Sequence, residues 1–301
     1  MQSSNSILMV KPTGFGFNSD AAEDNLFAHH PADILKSESK ALQEWEGLKA
    51  QLEIFGVQVY TAILDDIKSP DKVFPNNWFS THRDLGADSK LVLYPLKVAN
   101  RREERSRQLI AYLKSQYEKS WDLSQSEQQY PPEFLEGTGS LVLDRVHKIA
   151  YMAISGRSHF SLASRWAAKM SYQLYSFTSQ INTPIYHTNV MLSVGSSHVI
   201  ACLSCIECEH ERSKLKKQLL QHHELIEITQ EQMNHFCGNV IELLDGKGEK
   251  ILAMSERAYL SFSSSQKATI LKHVQNIVKF PVPTIEILGG GGVRCMIAEL
   301  F

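Results

Sequence analysis

Apolar positions along the chain repeat with two different periods. Short runs with strand-like alternation come in pairs, at residues 140–143 with 149–154, 190–194 with 199–203, and 240–244 with 251–254, and each pair reads as a β-hairpin. Between the pairs, apolar residues recur at helical spacing with a polar opposite face over 33–55, 102–117, 161–177, 209–219 and 265–278. A doubly wound sheet would need single strands alternating with helices, so the hairpins argue against it.

Small or amide-rich turns stand before the strand pairs: PNNW at 75–78, EGTG at 136–139, HTN at 187–189, CGN at 237–239 and GGGG at 289–292. A spacing of roughly fifty residues marks a structural repeat, here five ββα-like units. Units whose sheets are covered by helices can close in a ring, which hides the open sheet edges. The predicted fold is therefore an α/β five-bladed propeller, one catalytic domain over residues 1–301. Equivalent turns in such a ring converge on its axis, bringing Asn77, Glu136, His187, Asn189 and Cys295 into one pocket. The polar, turn-rich segment 115–132 reads as a long surface loop and a candidate cover for that pocket.

Composition narrows the function classes. The 301 residues are 43% hydrophobic and 21% charged, ordinary for a globular protein. Lys and Arg number 31 against 33 Asp and Glu, which leaves no basic footprint for nucleic acid. No run approaches the ~20 apolar residues that cross a bilayer, and the opening MQSSNSILMVKPTGF lacks the pattern of an export signal, so neither a membrane partner nor export is expected. Five cysteines, an odd and sparse set, suit a reducing compartment, and the cytoplasm is the expected location.

Cys295 lies in GGGGVRCMIAELF, where glycines permit close backbone approach and the following apolar strand would hold the thiol. Arg294 and free glycine N–H groups favour a thiolate; without them the residue would be one more buried small hydrophobe. His187 opens a strand at one of the converging turns and has a side chain suited to proton transfer, though it is one of 12 histidines. Glu136, at the matching turn of another unit, could grip a cation or orient the histidine. Cys202, Cys205 and Cys208 form CxxCxxC, but the first two fall in a predicted strand that would point them to opposite faces, so no metal is expected there. The glycine run lacks the GxGxxG-to-helix context of a nucleotide site.

Taken together, MVKPTGFGFN, FPNNWFSTH, ANRREE, LEGTGSLVLD, ISGRS, YHTNV and GGGGVRCMIAEL resemble the guanidine-modifying (pentein) superfamily over nearly the whole chain. The superfamily comprises arginine deiminases, dimethylarginine dimethylaminohydrolases and amidinotransferases, and the closest resemblance is to its bacterial citrulline hydrolases. The resemblance implies a five-bladed α/β propeller with Cys295 as nucleophile, His187 as general acid and base, and Glu136 as the carboxylate contacting substrate nitrogens. It implies further that Arg157 binds a substrate α-carboxylate, that Arg101 and Arg102 assist, and that no metal or organic cofactor takes part. A homodimer through a propeller edge is compatible with it.

Asn77 and Asn189 stand where arginine deiminases carry aspartates. A guanidinium in a dry pocket calls for carboxylates, whereas a neutral ureido group matches the paired donor and acceptor of an amide. The expected substrate is therefore a small ureido amino acid such as citrulline, converted to ornithine. The rival readings are hydrolysis of arginine or dimethylarginine to citrulline, amidino transfer, and a nonenzymatic binding protein.

Overall fold

The computed structural model describes residues 1–25, 27–29, 37–84, 86, 88–181 and 183–301. Strands β1 (Ser6–Val10) and β2 (Gln58–Ala62) form a sheet with β17 (Ala298–Leu300). The second sheet is β3 (Phe79–His82), β4 (Lys90–Leu93) and β5 (Lys119–Asp122), and the third is β6 (Val142–Asp144), β7 (Ile149–Ala153) and β8 (Gln173–Phe177). A two-residue ribbon, β9 (Gln180–Ile181) with β10 (Thr183–Pro184), precedes the fourth sheet. That sheet comprises β11 (Leu192–Val194), β12 (His198–Ala201) and β13 (Glu224–Glu227), and the fifth β14 (Ile241–Leu244), β15 (Lys250–Ser255) and β16 (Asn276–Phe280).

Each three-stranded sheet follows one plan, an antiparallel pair whose middle strand also pairs parallel with a third, and in four of them the antiparallel pair is a hairpin. The exception in chain order explains the closure. Strand β1 pairs antiparallel with β17, Ser6 opposite Leu300 and Leu8 opposite Ala298, and parallel with β2. The first and last strands of the chain thus complete one blade and fasten the ring, leaving the five-bladed α/β propeller expected from the repeat.

The third strand of each blade departs from the expected ββα unit. The predicted helix at 161–177 is a helix over Phe160–Met170 followed by β8, and that at 265–278 is a helix over Ser264–His273 followed by β16. Only two residues separate helix from strand, and the outer strands are half-exposed, so their apolar residues read as a continuation of the helical stripe. Ser171, in left-handed conformation at φ 59°, provides the stop, and Tyr172 N–H bonds back to Ala167 O at 2.8 Å. Segment 115–132 likewise holds β5 and a 3-10 turn at Ser124–Gln128, tied down by Glu127 against Arg105, and is not a free loop. The helix expected at 33–55 runs over Ser37–Ile54, and its proposed start at 33–36 lies outside the described residues. At 102–117 a 3-10 turn, Ala99–Glu104, precedes a helix over Arg107–Gln116 capped by Ser106. The helix at Glu209–Leu219 falls where the pattern put it.

Helices pack outside the sheets over four apolar clusters. Trp166, from the helix over Phe160–Met170, is fully buried and donates from Nε1 to Tyr94 Oη at 2.8 Å. Burying a side chain of this kind stabilises the blade by roughly 2–3 kcal/mol. Among the described residues no helix is long and apolar enough to cross a membrane.

Candidate active site

The inner turns come from the segments before the first strand of each blade. A 3-10 turn at Pro75–Asn77 precedes β3, a short helix at Gly137–Ser140 precedes β6, and a 3-10 turn at Thr188–Val190 precedes β11. Helix Pro283–Gly289 ends on Gly290, and a turn then carries Cys295 toward β17. The thiol therefore sits in a turn ahead of the strand and not on the strand itself. Gly290 has φ +63°, and a Cβ there would lie 2.7 Å from Ala28 N, so glycine is required on both counts. A Cβ on Gly139 would lie 2.7 Å from Asn77 Nδ2 and 2.8 Å from His187 Nδ1, so its absence keeps the space between those two groups open.

Cys295, His187 and Glu136 are 3%, 2% and 0% exposed. Cys295 Sγ accepts from Asn239 Nδ2 at 3.3 Å and Asn189 Nδ2 at 3.6 Å. Asn239 also donates to Asn189 O at 2.9 Å, which locks the two turns together. Burial pushes the thiol up from its ordinary value, and the Asn239 bond, the Arg294 charge and Asn189 offset this only in part. The Arg294 guanidinium points away, donating to Ile297 O and Glu299, so it acts on the sulfur through charge alone.

Glu136 is saturated. Its Oε1 accepts from Lys97 N at 2.9 Å, and its Oε2 accepts from His187 Nε2 at 2.8 Å and Arg157 Nη1 at 3.4 Å. Burial disfavours the carboxylate, but Arg157, His187 and Arg101 outweigh it and hold the group well below the usual range. Glu136 is thus ionised, so the bond fixes the His187 proton on Nε2 and leaves the lone pair on Nδ1. Burial lowers the His187 value despite the pull of Glu136, so the ring rests neutral.

The predicted residues divide. Arg101 joins the cluster, donating to Asn77 Oδ1 at 2.9 Å while gripping Glu104 at 2.8 and 2.9 Å. Asn77 Nδ2 turns to Asn76 Oδ1 at 3.1 Å. Arg157, beside Glu136, donates to Asp24 and, at 2.9 Å, to Ala21 O. Arg102 is not brought in: it donates to Leu96 O and Lys97 O and faces Glu127. Asn239 is not among the residues the motifs single out, although the repeat carries a signal for it. It closes the CGN turn as Asn77 closes PNN and Asn189 closes HTN, so superposing the repeats marks it.

The five-bladed fold and the comparisons identify a member of the guanidine-modifying superfamily, a hydrolase acting on C–N bonds of amidino groups. The chain belongs to the family described as N,N dimethylarginine dimethylhydrolase, eukaryotic, whose model matches residues 11–301. No curated protein matches the sequence.

Among solved structures, the N-terminal domain of the cyanobacterial arginine dihydrolase ArgZ, bound to product, superposes with TM-score 0.76 at 16% identity, covering 98% of this chain and 97% of that one. Unliganded AgrE gives 0.77 at 17%, covering 98% and 39%. A dimethylarginine dimethylaminohydrolase adduct with S-methyl-L-thiocitrulline gives 0.66 at 14%, covering both chains fully at 100%. At these identities the likeness is one of fold.

Proposed function

We propose that the protein hydrolyses the ureido group of a small amino acid, citrulline to ornithine, through a covalent adduct on Cys295. One observation carries the substrate choice. The Glu136 carboxylate is engaged at both oxygens, and the polar groups nearest the thiol are the amides of Asn189 and Asn239, so the lining suits a neutral head group. Asn239 Oδ1, on the amide whose Nδ2 donates to Cys295, is buried without a partner and offers an acceptor to a ureido N–H.

The resting pair is a neutral thiol and a neutral imidazole. As substrate binds, the Cys295 proton passes to His187 Nδ1 and the sulfur attacks the ureido carbon. The imidazolium, stabilised by Glu136, then protonates the departing nitrogen, leaving a carbonyl–sulfur adduct. His187 next takes a proton from water, which attacks the adduct; the leaving sulfur regains its proton from His187, and the carbamic acid released loses CO2, so ornithine, ammonia and CO2 are the products. Arg101 and Arg157 keep Glu136 charged through both steps. Arg157, the buried guanidinium beside Glu136, is the group offered to the substrate carboxylate.

The same adduct chemistry would serve arginine or dimethylarginine, and ArgZ, an arginine dihydrolase, is a structural relative. Incubating the purified protein separately with citrulline, arginine and dimethylarginine, and following ammonia and amino acids, distinguishes them. Ornithine from citrulline is the expected result. Turnover of arginine or dimethylarginine with none of citrulline refutes the ureido reading while leaving the nucleophile in place.

A further inference from the structure

The third and fourth blades meet in a second cluster that the proposed chemistry does not use. Asp144, at the end of β6, is buried, and His147 follows it in the hairpin turn to β7. His223 precedes β13 of the next blade and is 7% exposed. One donor atom from each of the three lies within 4.8 Å of the others. The turn is at the end of β6 away from Glu136, so the cluster is separate from the Cys295 pocket.

Asp144 already bonds His147, its Oδ1 accepting from His147 N at 2.9 Å and lying 3.0 Å from His147 Nδ1, and the third member stands just beyond hydrogen-bond reach. Asp144 Oδ2 is 2.9 Å from His147 Nδ1 and 3.6 Å from His223 Nε2. The second distance is too long for a hydrogen bond. Donors about 2.0–2.2 Å from a tetrahedral metal are themselves about 3.4 Å apart, close to the Asp144–His223 separation, and the Asp144–His147 pair would open by about half an ångström on binding. His223 Nδ1 is buried without a partner, and a weak interaction with the Leu219 backbone falls short of hydrogen-bond geometry. With Nε2 on a metal, the ring proton would move to Nδ1 and strengthen that interaction, the usual arrangement behind a metal-bound imidazole. The exposed His222 stacks on His147, centroids 3.7 Å apart and 7° from parallel, and adds a further imidazole at the rim of the cluster.

We propose that Asp144, His147 and His223 form a divalent-metal site of the zinc class that clamps the third blade to the fourth. Two imidazoles and one carboxylate, with one side toward solvent, match Zn2+, Co2+ and Ni2+ and not the all-oxygen shells of Ca2+ or Mg2+. The metal holds blades together and takes no part in C–N cleavage.

Co2+ titration of the chelator-treated full chain tests this, read by visible absorption and by thermal unfolding. The proposal expects one equivalent bound, ligand-field bands without a sulfur-to-cobalt charge-transfer band, and a raised Tm. His147→Ala and His223→Gln should each weaken binding by at least about tenfold. Cys202→Ser and Cys295→Ala should leave binding unchanged. Because His147 is partly exposed at 31%, its variant is the one expected to fold without difficulty and decides the matter if His223→Gln does not fold. Absence of saturable binding, a thiolate charge-transfer band, or unchanged affinity in His147→Ala overturns the proposal.

Discussion

Two groups of buried thiols show what separates a reactive cysteine from a packed one. Cys202 and Cys205 lie 3.0 Å apart, with Cys205 3.6 Å from Met233 Sδ, inside the largest apolar cluster. Cys295 is as deeply buried, yet its sulfur meets two amide donors and stands near Arg294 and Arg101. Burial raises a thiol's pKa, and although the hydrogen bond from Cys205 lowers the Cys202 value to about 7, that pair sits among apolar side chains, so a lowered value does not by itself mark the reactive group. What distinguishes Cys295 is a ring of donors and a cationic field that can stabilise the thiolate once its proton is taken. The comparison also corrects the reading of CxxCxxC: β12 ends at Ala201, and the 3-10 turn over Leu203–Cys205 brings the first two sulfurs together instead of apart. Cys208 is exposed and does not join them.

The sharpest way to break this contrast is substitution on each side of it. Cys295→Ala is expected to lower kcat by at least about 10^4-fold, measured with citrulline. Glu136→Gln comes next: without a carboxylate the His187 tautomer and its imidazolium lose support, and kcat should fall about 10^3- to 10^4-fold with the protein still folded by circular dichroism. Asn239→Ala removes one donor to the sulfur and should cost about 10^2-fold in kcat. The sign on pH is fixed as well: Asn239 lowers the Cys295 value, so its loss should move the pH profile of Cys295 alkylation upward. Smallest is Cys205→Ala, which should leave kcat within about twofold and reduce stability by about 1 kcal/mol in urea denaturation.

Much of the ring was legible because its information is local. Hairpins announce themselves by alternation, and the turns at 75–78, 136–139, 187–189, 237–239 and 289–292 recur at nearly even spacing. The third strands were hidden because strands such as β8 and β16 begin two residues beyond a helix and are half-exposed, which blurs the change of period. The blade made by β17, β1 and β2 joins residues from opposite ends of the chain, and no local pattern reveals such a pairing. In the site, Cys295, His187 and Glu136 could be named from motifs. The Glu136 saturation by Lys97 N, His187 and Arg157, which bears on the substrate, required coordinates. So did the separation of Arg102 from Arg101, neighbours in sequence whose guanidinium groups face different surroundings.

The central claim is that Cys295, among five cysteines, forms the covalent adduct. Quenching the protein with acid during citrulline turnover, digesting it and analysing the peptides by mass spectrometry tests this directly. A carbonyl adduct on the peptide bearing Cys295, absent when Cys295→Ala is treated alike, is the predicted result. An adduct on the Cys202–Cys205 peptide, or turnover that persists in Cys295→Ala, would contradict the account.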